Sequence, residues 1–226
     1  MTSILYMRIT IRMTKQASDA PRRLLDAGRA VARERGCGAI KVREVARAAG
    51  VNLGLFHYHF KTRDAFVRRV LDETYADFFA RLNLSVDRKG SPRERLRAAL
   101  TAIAQFSREH RRMVVGMLRD AMTGDRLVIE FAGRSFPNHL PIVLGLIKEG
   151  VRAKELRDLP EPLVLALLMG VISTPNIMAT LVECSGAKRP LGRSVAQFQD
   201  ELLSDAAIAE RVDIVLAGLS RKGGKR

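Results

Sequence analysis

Ile40-Lys-Val-Arg-Glu-Val-Ala-Arg-Ala-Ala-Gly50-Val-Asn-Leu-Gly-Leu-Phe-His-Tyr-His-Phe60-Lys-Thr-Arg63 is the stretch that decides the fold of this chain. In its first half Val42, Val45, Ala46 and Ala49 recur at i, i+3, i+4 and i+7, which is one apolar face of a short helix. Gly50 follows where a chain turning sharply out of a helix needs positive φ, a conformation that costs a residue without Cβ nothing. Ala46 is small enough for a second helix to cross close above it. That second helix buries Val51, Phe56 and Phe60 and turns Asn52, Leu53, Leu55, His57 and Tyr58 outward. A helix, a tight turn and a helix of this kind lay the second helix in the major groove of DNA.

The flanks fit that reading. A preceding helix is expected from about Ala20 to Arg35, with Asp19 as N-cap and Pro21 in the first turn, where its missing N–H is no loss. Leu24, Leu25, Ala27, Gly28, Val31 and Ala32 form its inward stripe, and Gly36 closes it. Residues 1–18 read as a flexible basic arm. Thr62 is placed to cap a fourth helix running to about Leu84, whose N-terminus, with Arg63 beside it, suits a phosphate.

The segment resembles the DNA-binding domain of the TetR family of bacterial transcriptional regulators. The likeness is carried by Val42-Arg43-Glu44-Val45-Ala46, by Ala49 through Phe60, and by Lys61-Thr62-Arg63-Asp64, and it covers residues 19 to 72. It implies that Asn52 makes a bidentate pair with adenine and that Gly54 lets the backbone approach the DNA. It also implies phosphate contacts from His57, Tyr58, His59, Lys61, Thr62 and Arg63, and from Arg43 on the first helix of the motif. Three positions depart from the family pattern. Lys41 stands where a Thr or Ser cap is usual, which weakens the cap and adds a charge. Leu53 and Leu55 stand where polar residues are common; leucines donate no hydrogen bond, so they read thymine methyls or fill the groove, and indirect readout gains weight.

Charge is distributed to match. The chain carries a formal net charge of +15, and residues 1–71 hold 15 Lys and Arg against 5 Asp and Glu. Residues 72–126 hold 11 against 8, and residues 127–226 hold 13 against 11. The excess surrounds the proposed reading element, as in a nucleic-acid binder. Cys37 and Cys184 form no CxxC pair, which fits a reducing cytoplasm and two ordinary, mostly buried thiols. His57 and His59 do not make a metal pair, because i and i+2 on a helix point about 200° apart. No nucleotide loop, catalytic triad order or paired carboxylates stand out, so no enzyme, cofactor or metal is expected. No cleaved signal is expected either, since Arg8 and Arg12 interrupt the first apolar stretch.

Downstream the pattern is helical throughout, and the fold class is all-α: an N-terminal three-helix helix-turn-helix domain and a larger helical domain over 73–220, with a basic tail at 221–226. Ser91-Pro92-Arg93-Glu94 starts a fifth helix with Leu96, Leu100, Ile103, Ala104 and Phe106 as its core side. A sixth runs from Arg111 to Thr123 and Asp125 caps a seventh. After Ser135-Phe136-Pro137 a further helix passes through Leu140, Val143, Leu144 and Ile147. Pro160 and Pro162 introduce a long helix that Pro175 kinks, and a last helix covers Val195 to Leu219. Pro162 to Val182 carries no charge and is long enough to span a bilayer, but Ser173-Thr174-Pro175-Asn176 suits a buried interface helix better, and no membrane role is expected.

Helices over 163–182 and 200–219 carry broader apolar faces than one protomer buries comfortably. The resemblance implies that they form a homodimer through a four-helix bundle, setting two recognition helices about 34–36 Å apart on a palindromic double-stranded operator. It also implies a pocket for an unidentified small-molecule effector, with Phe106, Met113, Met117, Phe136, His139, Met169, Ile172 and Asn176 as candidate lining. The function expected is a ligand-released homodimeric repressor. The alternative is an architectural DNA binder with little sequence preference, motivated by Leu53, Leu55 and the high charge.

Overall fold

In a computed structural model, which describes residues 2–87 and 89–221, with side chains from residue 19 onward, the chain forms ten α-helices. Among these residues the β-pairing is one isolated bridge, Leu156 with Ser220. The helices divide into two compact units, Met1–Thr74 and Tyr75–Arg226.

The first unit holds α1 (Thr2–Arg35), a 3-10 turn (Cys37–Ala39), α2 (Val42–Ala48), α3 (Leu53–Phe60) and the first half of α4 (Arg63–Val86). The expected start of α1 is corrected. Its backbone is helical from Thr2, so the segment read as a loose arm is part of the helix, Asp19 is no N-cap, and Pro21 lies inside. Residues 2–17 contain no glycine or proline to stop a helix, and one proline costs a single backbone bond. Of the predicted inward stripe Leu24, Leu25, Gly28 and Ala32 are buried and Ala27 and Val31 half-buried, and Ala20 is buried as well. Gly28 allows the closest crossing, since a Cβ there would stand 2.6 Å from Phe66 Cζ. Phe66 also joins Phe56 and Phe60, with ring centroids 5.1 and 4.9 Å away, and Ile40, Val45 and Val51 complete this core.

The second unit continues with α5 (Pro92–Glu109), α6 (Arg111–Met122), α7 (Arg126–Arg152), α8 (Glu161–Ser185), α9 (Val195–Leu203) and α10 (Asp205–Leu219). Ser91 and Glu94 close a reciprocal capping box on α5, and Asp125 caps α7. The core gathers Leu96, Leu100 and Ala104 of α5, Val143 and Leu146 of α7, Leu168 and Ile172 of α8, and Val212 and Leu216 of α10. Two boundaries differ from expectation. The break anticipated near Pro137 is absent: α7 runs through Pro137 and Pro141, carried by a face that buries Val128, Phe131, Val143 and Leu146. The single last helix is instead two. Ser204 adopts extended backbone and its hydroxyl accepts from the Ala207 N–H at 3.3 Å, so it ends α9 and caps α10.

Helix α8 is long and apolar enough to cross a membrane by composition alone. It packs Val164, Leu168, Ile172 and Ala179 into the core. Cys37 is buried, but Cys184 is exposed near the end of α8, against expectation.

Candidate nucleic-acid interface

The turn between α2 and α3 is built as the sequence requires. Gly50 has φ +61°, and Val51 is buried just after it. An arginine that the sequence reading missed reinforces the turn: Arg23 of α1 donates through Nη1 to the carbonyls of Ala49, at 3.2 Å, and Gly50, at 3.5 Å. Its signal was available, because position 23 falls between Ala20 and Ala27 on the inward side of α1, where a charge must find a partner. At the N-terminus of α2 Lys41 is the N-cap without a side-chain cap bond, as its departure from the family pattern implied. Its ammonium lies 3.3 Å from Glu44, and that hydrogen bond, with Arg35 also near, holds the Glu44 carboxyl below its usual range.

Helix α3 presents an outward face. Phe56 is fully buried, Leu53 is 37% exposed, Tyr58 is 76% exposed, and Asn52, Gly54 and His57 are exposed beside them. Leu55 is half-buried. Asn52 is the N-cap of α3, with Oδ1 accepting the Leu55 N–H at 2.8 Å. The bidentate adenine pair would therefore have to share an oxygen already in use; the Nδ2 group keeps its two hydrogens. A Cβ on Gly54 would sit 3.3 Å from that same oxygen, so the glycine also makes room for the cap.

After α3 the chain makes a γ-turn. Lys61 has φ 58° and ψ −56°, and Thr62 N–H donates to Phe60 at 2.6 Å. The turn throws Lys61 into solvent. Thr62 caps α4 through Oγ1, which accepts the Ala65 N–H at 3.1 Å.

Two of the expected phosphate ligands make contacts within the protein. Arg63 spends its guanidinium on the turn before α2: Nε donates to Ile40 at 2.9 Å, and Nη2 to Cys37 at 3.1 Å and Gly38 at 3.3 Å. Its charge was legible in the sequence, but the direction of its donors was not. His59 is half-buried between the rings of Tyr58 and Phe60, and its Nε2 is buried with no partner among the described residues. Lys41, Arg43, His57, Tyr58, Lys61 and Thr62 are exposed.

A family model described as bacterial regulatory proteins, tetR family, matches residues 24–70, which contain α2, the turn, α3 and the start of α4. Residues 24–70 are a TetR-family DNA-binding domain. It is similar to the probable HTH-type transcriptional regulator YttP of Bacillus subtilis, at 23% identity over 64% of this chain and 70% of that one. It is similar as well to the HTH-type transcriptional repressor KstR2 of Mycobacterium tuberculosis, at 31% identity over 46% of this chain and about half (52%) of that protein. The crystal structure of KstR2 superimposes with a TM-score of 0.63 at 23% identity, covering 89% of this chain and 96% of that one. A putative regulator from Saccharomonospora viridis, solved in complex with choline, gives 0.70 at 17% identity, covering 91% and 100%. These structural likenesses extend the TetR-family fold beyond the reading domain to the helical second unit.

In that second unit the eight residues expected to line a pocket do not form one wall. Phe106, Met113, Ile172 and Asn176 are buried, whereas Phe136 and Met169 are 58% and 54% exposed. Met117 and His139 are half-buried. His139 sits against Tyr75, Phe78 and Phe136, with its Nδ1 3.0 Å from the Tyr75 hydroxyl. A cavity of about 420 Å³ lies instead where the end of α7 meets the start of α8. Leu144, Ile147, Val151, Leu159 and Val164 form its apolar lining, Lys148 pairs with Glu161 at 2.9 Å on its rim, and it includes none of the eight. The apolar spacing of Leu144, Ile147 and Val151 was its signal in the sequence.

Proposed function

We propose that this TetR-family chain is a cytoplasmic, homodimeric repressor that binds a palindromic operator and is released by a small-molecule effector. The observation that carries the reading is the outward row Asn52, Leu53, Tyr58 and Lys61, held on a buried Phe56 beside a basic α2. Leu53 meets thymine methyls, the Asn52 amide donates to a base edge or phosphate, and Tyr58, Lys61 and Arg43 grip the backbone.

The dimer reading is supported by α8. Leu163, Leu167, Gly170, Thr174, Met178 and Leu181 are all exposed, follow one another at three- or four-residue steps, and carry no charge. Ile214 of α10 is 64% exposed as well. Such a stripe suits a self-complementary C₂ contact through helices 163–182 and 200–219. The repressor reading is supported by KstR2, which is a transcriptional repressor, and the effector reading by the choline complex of the Saccharomonospora viridis protein.

Selection of bound duplexes from a randomised pool tests the proposal. It predicts recovery of a palindrome with half-sites about one helical turn apart. Recovery of unrelated sequences would replace it with the architectural reading.

A further inference from the structure

Asn176 of α8 is 2% exposed and faces Ser107 of α5, itself 6% exposed. Its Nδ2 uses both hydrogens, one toward Ser107 Oγ at 3.2 Å and one toward the Ile172 carbonyl at 2.7 Å. Turning the amide over would press Oδ1 against the Ile172 oxygen, two acceptors in contact, so the orientation is fixed by chemistry. Oδ1 is then buried with no donor among the described residues. Ser107 is in the matching condition: its oxygen accepts from Asn176, and nothing described accepts its proton. A buried acceptor and a buried donor thus stand side by side. Native interiors rarely leave such groups unmatched.

The group that matches both is a hydroxyl, which donates and accepts at once. A ketone or carboxylate would set a second acceptor against Oδ1. An ammonium would bring a charge to a place where neither side chain offers a counter-charge. The neighbouring positions on the same faces are apolar: Leu168, Ile172 and Ala179 along α8, Leu100 and Ala104 along α5, all buried.

We propose that the seam between α5 and α8 binds an uncharged, largely apolar molecule that presents a hydroxyl to Asn176 Oδ1 and Ser107 Oγ. The proposal rests on the effector-responsive reading and gives that effector a chemical class. A trapped water would offer the same hydrogen bonds, and the test separates the two.

Thermal unfolding of the full chain is followed with phenol and, at equal concentration, with toluene, in which a methyl replaces the hydroxyl. Phenol is expected to raise Tm by about 3 °C at ten times its Kd, and toluene by less. Asn176→Leu, with Ser107→Ala as a second variant, is expected to erase the difference between the two. Stabilisation that ignores the hydroxyl, or survives both variants, overturns the proposal. So does a phenol-insensitive protein that Asn176→Leu destabilises, the signature of a site kept for water. No DNA enters the assay, so its failure leaves the operator reading standing.

Discussion

The Nδ1 of His57 lies 3.1 Å from the carbonyl oxygen of Lys61. A carbonyl only accepts, so Nδ1 carries the hydrogen, and the bond braces the γ-turn that the Thr62 N–H closes on Phe60 at the end of α3. The turn is the strained kind, with positive φ at a residue that is not glycine. The chain bears that strain at the point where Lys61, the proposed phosphate ligand, stands exposed.

Replacing Lys61 therefore separates strain from charge. Lys61→Ala keeps the strain, weakens binding to all duplexes, and lowers the salt slope by about one. Lys61→Gly loses the same affinity but gains roughly 1 kcal/mol of stability, because glycine adopts this φ freely. Denaturant unfolding beside salt-titrated binding reads both. A glycine variant no more stable than the alanine variant would mean the turn is not strained.

Arg63 and Arg23 are expected to act through the fold of the motif rather than on phosphates. Both donate to backbone carbonyls around the motif, Arg63 to Ile40 and Arg23 to Ala49. Arg63→Gln or Arg23→Gln is expected to destabilise the first unit by about 1.5 kcal/mol and weaken operator binding with the salt slope unchanged. A slope that falls by about one would make the residue a phosphate ligand after all.

Leu53 reads a methyl if the outward row is placed correctly. Replacing the contacted thymine by deoxyuridine should cost roughly 0.8 kcal/mol in the wild type and nothing in Leu53→Ala. An equal cost in both proteins assigns that thymine to another residue.

Burial holds the imidazole of His139 below its ordinary pKa, only partly opposed by the hydrogen bond to Ser135. The unfolded chain then takes up a proton first as the medium acidifies. The resulting stability is complete above pH ~6.5 and is lost as pH falls from there toward the depressed folded value. The Tm of His139→Gln should fall less than that of the wild type between pH 7.5 and 5. Parallel curves would show that His139 is not the group titrating.

Gly28→Ala should cost about 1–3 kcal/mol, since its new methyl meets Phe66 and must push the α1–α4 crossing apart. Unfolding by urea measures this, and an unchanged midpoint would mean that the phenylalanine moves aside freely.

The helix-turn-helix was legible because period, glycine and motif agree over one short stretch: Val45, Ala46, Gly50 and Phe56 all do locally what their types prefer. The hydrogen bonds of Arg63 and the ring contacts of His59 were not legible, because a sequence shows that a donor exists and not which carbonyl or ring lies beside it. The boundaries went wrong where local signals compete with packing. Pro137 read as a stop, yet the buried face of α7 carries the helix through it and through Pro141. Ser204 read as a helical residue, and its hydroxyl proved better used as a cap. The cavity at the end of α7 was missed because the apolar run of Leu144, Ile147 and Val151 looks like ordinary core until α8 is seen to leave it partly open.

The central claim is sequence-selective DNA binding, and one titration tests it most directly. Labelled duplex from upstream of the chain's own coding region is bound against scrambled duplex at several salt concentrations. The account predicts saturable, salt-sensitive binding of two chains to the upstream duplex, at least 10³ tighter than to the scrambled one at physiological salt. Equal affinity for both duplexes would contradict it.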